Sequence, residues 1–184
     1  MKYAALFFII LSICLTSCDS RTSHGDFLKK AISEFNDKQL QLDIITITPE
    51  NYTEIVTDTL IADAFNVHIK NYSVMDKNIL TKTQQVSNQK TIYYHRIFES
   101  EIAVATPQKT VFSTLISTED FKTNHPFWDR AILQHVWVNQ EASTTTNVAI
   151  DIAFEDPKTK AYKLYQMSVD AFGTQQLFLK EEHI

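Results

Sequence analysis

Hydrophobic and polar positions change period several times along the chain, and each change marks an element. Tyr3 to Leu15 is an apolar run interrupted by Ser12. It is shorter than the about 20 residues that span a bilayer as a helix, and has the length of a signal-peptide core. Leu28, Ala31, Ile32 and Phe35 then recur three and four apart, with Ser23 placed to cap and Asp26 three residues on, which predicts an amphipathic helix over 26–38. From Leu42 the period falls to two. Asp43 to Thr48 is β-branched and stops at Pro49, which cannot donate to a strand ladder, and Ile55 to Leu60 reads as another short strand. Phe65, Val67 and Ile69 alternate with Asn66, His68 and Lys70, the pattern of a strand with one wet face. Met75 to Asn78 reads as a turn, Ile79 to Val86 as a polar edge-like strand, and Ser87 to Lys90 as a loop.

Thr91 to Ala105 is long enough for a full strand, with Tyr94, Phe98, Ile102 and Val104 on one face and Arg96 and Ser100 interrupting it. Thr106 to Lys109 turns the chain and Thr110 to Ser117 returns. A second helical signal follows: Asn124 can cap, Pro126 suits a first turn, and Phe127, Trp128, Ala131, Ile132 and His135 recur at three and four, predicting a helix over 125–135. The last third is a meander, with strands at Val148–Phe154, Ala161–Val169 and Gln175–Lys180 and turns at Asp156–Lys158 and Phe172–Thr174. The sum is a mainly β chain, an antiparallel sandwich or partly open barrel with two short helices, in one domain over 26–184.

The first apolar run ends in Leu15-Thr16-Ser17-Cys18. A one-charge start, an apolar core, two small residues and a cysteine in this order resemble the bacterial lipobox. The resemblance implies a signal peptide over 1–17, a diacylglycerol on the Cys18 thiol, acylation of its freed amine, and a polar tether over 18–25. One acyl chain binds membranes marginally and two bind stably, so a triply acylated Cys18 would stay in the bilayer. An ordinary cleaved signal or an uncleaved anchor, with Cys18 incidental, is the plainer alternative.

Composition narrows the chemistry. Cys14 lies inside the signal and Cys18 would carry lipid, and these are the only two cysteines. The mature domain is therefore expected to lack disulfides, a catalytic thiol and thiolate-held metal. With Gly25 and Gly173 as the only glycines, no phosphate-cradling loop and no GxSxG elbow can be written. Net charge is −5, and loss of Lys2 with the signal makes the mature domain more acidic still. Nucleic acid is not an expected partner of such a domain. The charge is uneven: Lys70, Lys77, Lys82, Lys90 and Arg96 face Asp76 alone between Asn66 and Phe98, either a solvated strand face or a groove for an anionic ligand.

Three further stretches, Tyr72-Ser73-Val74-Met75-Asp76, Arg96 to Ile102, and Phe127-Trp128 through Ala131-Ile132-Leu133 to Trp137-Val138, resemble an uncharacterised small lipoprotein family of Bacteroidetes-type bacteria. The resemblance runs from about residue 55 to the end. It implies an envelope protein anchored through Cys18 and a β-rich fold, and supplies no activity. Asp19 resembles an inner-membrane retention signal of some Gram-negative bacteria, while Ser20 to Ser23 lacks the acidic run that sends lipoproteins to the surface in others. Either membrane stays open.

Candidate site residues are few. His24, His68, His95, His125, His135 and His183 form neither HxH nor HExxH, so no metal site and no cofactor are expected. Glu99 and Glu101 share one strand face beside His95. They are either an acid–base pair for an envelope enzyme or small-ligand carrier, or like charges on a wet face. The aromatics are the better lead. Tyr93 and Tyr94, with His95, Glu99, Glu101 and Trp128, are the candidate binding surface of a non-catalytic domain that takes a protein or glycan partner or has a structural role, with core filling the favoured reading of Trp128.

Overall fold

The computed structural model describes residues 21–39, 43–86 and 89–184, so the apolar run, the cleavage site and Cys18 lie outside the described residues. The chain divides into two units, one of Met1–Asp43 with Gln85–Lys90 and one of Ile44–Gln84 with Thr91–Ile184. The first unit contains helix α1, Arg21–Gln39. It starts earlier than the spacing predicts, so Arg21 to Gly25, read as tether, are helical. No proline interrupts this stretch, and once a helix has nucleated each added residue contributes a hydrogen bond.

The second unit is mainly β, with strands β1 (Ile44–Thr48), β2 (Glu54–Ile61), β3 (Phe65–Val86), β4 (Gln89–Ala105), β5 (Thr110–Ile116), β6 (Ile132–Val138), β7 (Asn147–Glu155), β8 (Tyr162–Asp170) and β9 (Gln175–His183); the tip of the β3–β4 hairpin belongs to the first unit. They form two open sheets. One runs β1-β4-β3-β2, with β5 also on β4; the other runs β6-β7-β8-β9. The mainly β expectation holds. A single buried cluster takes Phe65, Val67, Ile69, Ile102 and Val104 from the first sheet and Val136, Val148, Ile150, Ile152, Phe154, Met167 and Val169 from the second, which makes the pair sandwich-like.

Three details depart from the sequence reading. The turn expected at Met75–Asn78 is absent, and β3 runs straight through it. Those four residues contain neither glycine nor proline, and Met75 and Lys77 are tied to β4, the first accepting from Arg96 and the second donating to Glu99. The helix expected over 125–135 is a single 3-10 turn, Pro126–Asp129, followed directly by β6. A bulge between Leu133 and His135 leaves Ile132 and Leu133 buried together, Gln134 and His135 exposed together and Val136 buried again, so a bulged strand imitates helical spacing. Finally, β1 pairs in parallel with β4, Ile44 opposite Thr91 through Thr48 opposite His95, in sheets that are otherwise antiparallel.

A second 3-10 turn, Thr118–Phe121, is capped by Ser117 and Asp120 in reciprocal fashion. The two turns bring together a cluster of aromatic rings. The Trp128 ring lies 5.0 Å from Phe127 and 5.2 Å from Phe154, both nearly edge-on, and Phe121 lies 4.6 Å from Phe154 and 4.9 Å from Tyr165. At the β8–β9 turn Gly173 has φ +85°, and a Cβ there would stand 2.2 Å from the Val111 carbonyl oxygen; only glycine fits both conditions.

The interior of the first sheet grades from apolar to polar. Beyond Ile69 the inward residues of β3 are Asn71 and Ser73, and those of β4 include Ser100 and Arg96, all buried. Asn71 Nδ2 donates to the Val136 carbonyl at 3.1 Å and bridges the sheets. Arg96 donates to the carbonyls of Pro49 at 2.9 Å, Glu50 at 3.1 Å and Met75. Through Pro49 and Glu50 the guanidinium holds the corner after β1 against β4, and through Met75 it ties β4 to β3.

Candidate cleft between the two sheets

The arginine clamp fixes one wall of a cleft. Because the parallel register sets Thr48 level with His95, the end of β1 joins β4 and β3 in a wall of Thr48, Thr81, Tyr93, Tyr94, His95 and Phe98. Thr81 Oγ1 donates to the Tyr93 carbonyl at 3.1 Å and pins that wall locally. The facing wall is the start of β6 and the end of β7: Ile132, Leu133, Gln134 and Glu155, with Pro157 and Lys160 from the turn that follows. Ile132 and Leu133 are buried and form an apolar floor. The cavity measures about 520 Å³, within the range of small-ligand sites, and is open to solvent.

Its polar rim has defined chemistry. The His95 Nδ1–H donates to the Arg96 carbonyl at 2.8 Å, which fixes the ring at the rim. Glu155 accepts from Gln134 Nε2 at 2.8 Å and from Lys160 Nζ at 2.6 Å. The turn carrying Pro157 and Lys160 is anchored from below by Asp156, which is buried. One oxygen takes Arg130 Nε and Nη2 at 3.0 and 2.9 Å, and the other takes the Lys158 and Thr159 amides at 2.8 and 3.3 Å. Burial pushes this carboxyl up, but the Arg130 guanidinium and the two amides outweigh it and hold its pKa below the usual value. Lys160 itself has φ +66°, a left-handed conformation that favours glycine, in a lysine at the mouth of the cleft.

Of the residues singled out in the sequence, the structure brings Tyr93, Tyr94 and His95 into this cleft and leaves the rest outside. Glu99 accepts from the Tyr72 hydroxyl and from Lys77, both at 3.2 Å. Glu101 lines a separate hollow of about 310 Å³ with His68 and Ser113. His95, Glu99 and Glu101 therefore do not share a cavity. Trp128 is 4 % exposed and is a core anchor, not a binding platform. Among the described residues no three His, Cys, Asp or Glu side chains gather as a metal site. His68 instead pairs with Asp58 at 2.8 Å, His125 Nδ1 accepts from the Phe127 amide, and His135 stacks on Trp137.

The sequence reading missed Thr48, Thr81, Gln134, Glu155 and Lys160 as neighbours of the tyrosine pair, because they come from four other strands and a turn. Lys82 alone carried a signal, as a member of the cationic run; its ammonium sits 5.6 Å from the Tyr93 ring centroid. The sequence matches none of the known protein-family models, and no curated protein matches it.

Proposed function

We propose that this chain is a lipid-anchored cell-envelope protein whose β domain is a non-catalytic module binding a glycan in the cleft between its sheets. The anchoring half rests on Tyr3–Leu15 followed by Leu15-Thr16-Ser17-Cys18 and on the resemblance to a lipoprotein family. Among the described residues no helix is long and apolar enough to cross a membrane.

The observation that carries the binding half is the aromatic wall of Tyr93, Tyr94 and Phe98 over an apolar floor, rimmed by Thr48, His95, Gln134 and Glu155. Sugars offer flat apolar ring faces and a surround of hydroxyls. Aromatic rings beside planar amide and carboxylate groups match both. The open cleft admits a chain that enters and leaves, as well as a single ring. Its carboxylate, Glu155, is held by Gln134 and Lys160, and the cleft residues present no second one to form an acid–base pair.

Screening the purified protein against neutral and acidic oligosaccharides tests the binding half. Tyr93→Ala and Tyr94→Ala should each weaken glycan affinity about tenfold and leave the unfolding midpoint nearly in place. Capture of an extended peptide on the β6 edge, with no glycan bound, would replace the glycan by a protein partner. For the anchor, Cys18→Ala should abolish lipid labelling and leave a longer precursor. An unmodified mature terminus in the wild type, seen by mass spectrometry, would overturn that half.

A further inference from the structure

The chain is acidic overall, yet the cleft is not. A second hollow of about 450 Å³ shares Thr81, Tyr93 and Pro157 with the cleft and continues it past Lys82 and Lys158. Lys82, Lys158 and Lys160 thus line one groove. Its one acidic side chain, Glu155, is already neutralised by Lys160. Lys158 is exposed, and among the described residues neither Lys82 nor Lys158 has a carboxylate within ion-pair distance. Elsewhere on the first sheet the cations are spoken for: Lys70 pairs with Glu54 at 3.1 Å and Lys77 with Glu99 at 3.2 Å.

The groove therefore keeps its uncompensated positive charge at one end of an aromatic wall. The turn that delivers Lys158 and Lys160 is locked from below by Asp156 and passes through the left-handed conformation at Lys160. Fixed cations of this kind, without partners on their own chain, attract anions and weaken with salt.

We infer that the glycan taken by the cleft is acidic, a chain bearing carboxylate or sulfate groups, its rings on the tyrosine wall and its charges between Lys82 and Lys158. The inference rests on the glycan reading above and adds the ligand's charge. A neutral ligand would leave both ammonium groups solvated and idle, whereas an anionic one gains charge-assisted hydrogen bonds that form only here.

Titration of the detergent-solubilised full chain with polygalacturonate, heparin and neutral dextran tests it, in salt from about 0.05 to about 0.5 M. The expected result is binding of one or both acidic polymers and not of dextran, with affinity falling as salt rises. The double variant Lys82→Gln/Lys158→Gln should lose about tenfold or more in affinity for the acidic polymer and most of its salt dependence. Lys77→Gln, which removes a cation of the outer face, should change neither. Salt-independent binding of dextran as tight as that of the acidic polymers would overturn the acidic assignment and leave the glycan reading standing. Acidic binding lost equally in Lys77→Gln would also overturn it, since the cleft would then hold no special place. Failure of all three polymers would remove both readings together.

Discussion

Two aromatic pairs occur among the described residues, and the fold treats them in opposite ways. Phe127-Trp128 sits in a 3-10 turn and is buried on every side, whereas Tyr93-Tyr94 sits in a strand and stays half exposed. The difference is geometric. Neighbours in a strand point to opposite faces, so two consecutive side chains are both buried only where both faces are covered, as at Val148-Ala149 of β7. At Tyr93-Tyr94 neither face is fully covered. Neighbours in a tight turn at the end of a sandwich both fall against the core, and Phe121, Phe154 and Tyr165 close around them. Aromatic content alone therefore distinguishes nothing; the backbone beneath the pair decides whether it fills a core or lines a cleft.

The largest test of that contrast is truncation. Trp128→Ala should lower stability by about 3–5 kcal/mol, a large part of the total for a domain of this size. It should appear as a lower denaturant midpoint with an unchanged slope. Tyr94→Ala should cost less than about 1 kcal/mol while weakening ligand affinity about tenfold. Equal losses from the two would mean that the tyrosine wall is structural after all, and the cleft would lose its claim to function.

A smaller effect separates the two regions by pH. Asp156 beneath the cleft turn and Asp151 on the second sheet both have pKa values below the ordinary carboxyl. For Asp151 burial pushes upward, and hydrogen bonds from Gln166, Asn139 and Lys180 together outweigh it. A depressed folded pKa gives stability that is whole above the unfolded value, about 3.9, and is lost as pH falls through the folded one. Denaturant midpoints should therefore drop steeply on acidification below about pH 4, and Asp156→Asn should flatten part of that slope. The same variant weakens the acceptor for the Lys158 and Thr159 amides, so ligand affinity at neutral pH should fall as well. In Asp151→Asn the slope should flatten and affinity should hold.

The contrast also explains what was legible in the sequence. Strict alternation in Phe65–Ile69 and Val148–Phe154 marks strands because the period-two face is buried along its whole length. The Tyr93-Tyr94 doublet stood out as two adjacent aromatics in one strand, and the structure leaves both partly exposed. Local pattern could not show that Thr48 would lie beside His95, because a parallel pairing joins residues 47 positions apart through contacts made only on folding. It could not distinguish a helix over 125–135 from a 3-10 turn and a bulged strand, because both bury positions spaced by three and four. Glu99 and Glu101 read as neighbours of His95 along the strand, but Tyr72 and Lys77 hold Glu99 outside the cleft.

The finest test lies at Lys160, where strain and charge meet in one residue. Its left-handed backbone disfavours any side chain with a Cβ, and its side chain, 72 % exposed, pairs with Glu155 in contact with water. Lys160→Ala keeps the strain and discards the ion pair, so it should be slightly destabilising. Lys160→Gly discards the ion pair and relieves the strain, so it should be more stable than the alanine variant by about 1 kcal/mol. Both remove the same charge from the cleft and should weaken an acidic ligand alike. If glycine and alanine unfold at the same midpoint, the left-handed turn stores nothing, and the rigidity assigned to this wall of the cleft rests on the Asp156 anchor alone. If glycine is the more stable and binds no better, the lysine is kept at this strained position at a cost to folding, and its ammonium serves to neutralise Glu155 at the rim of the cleft.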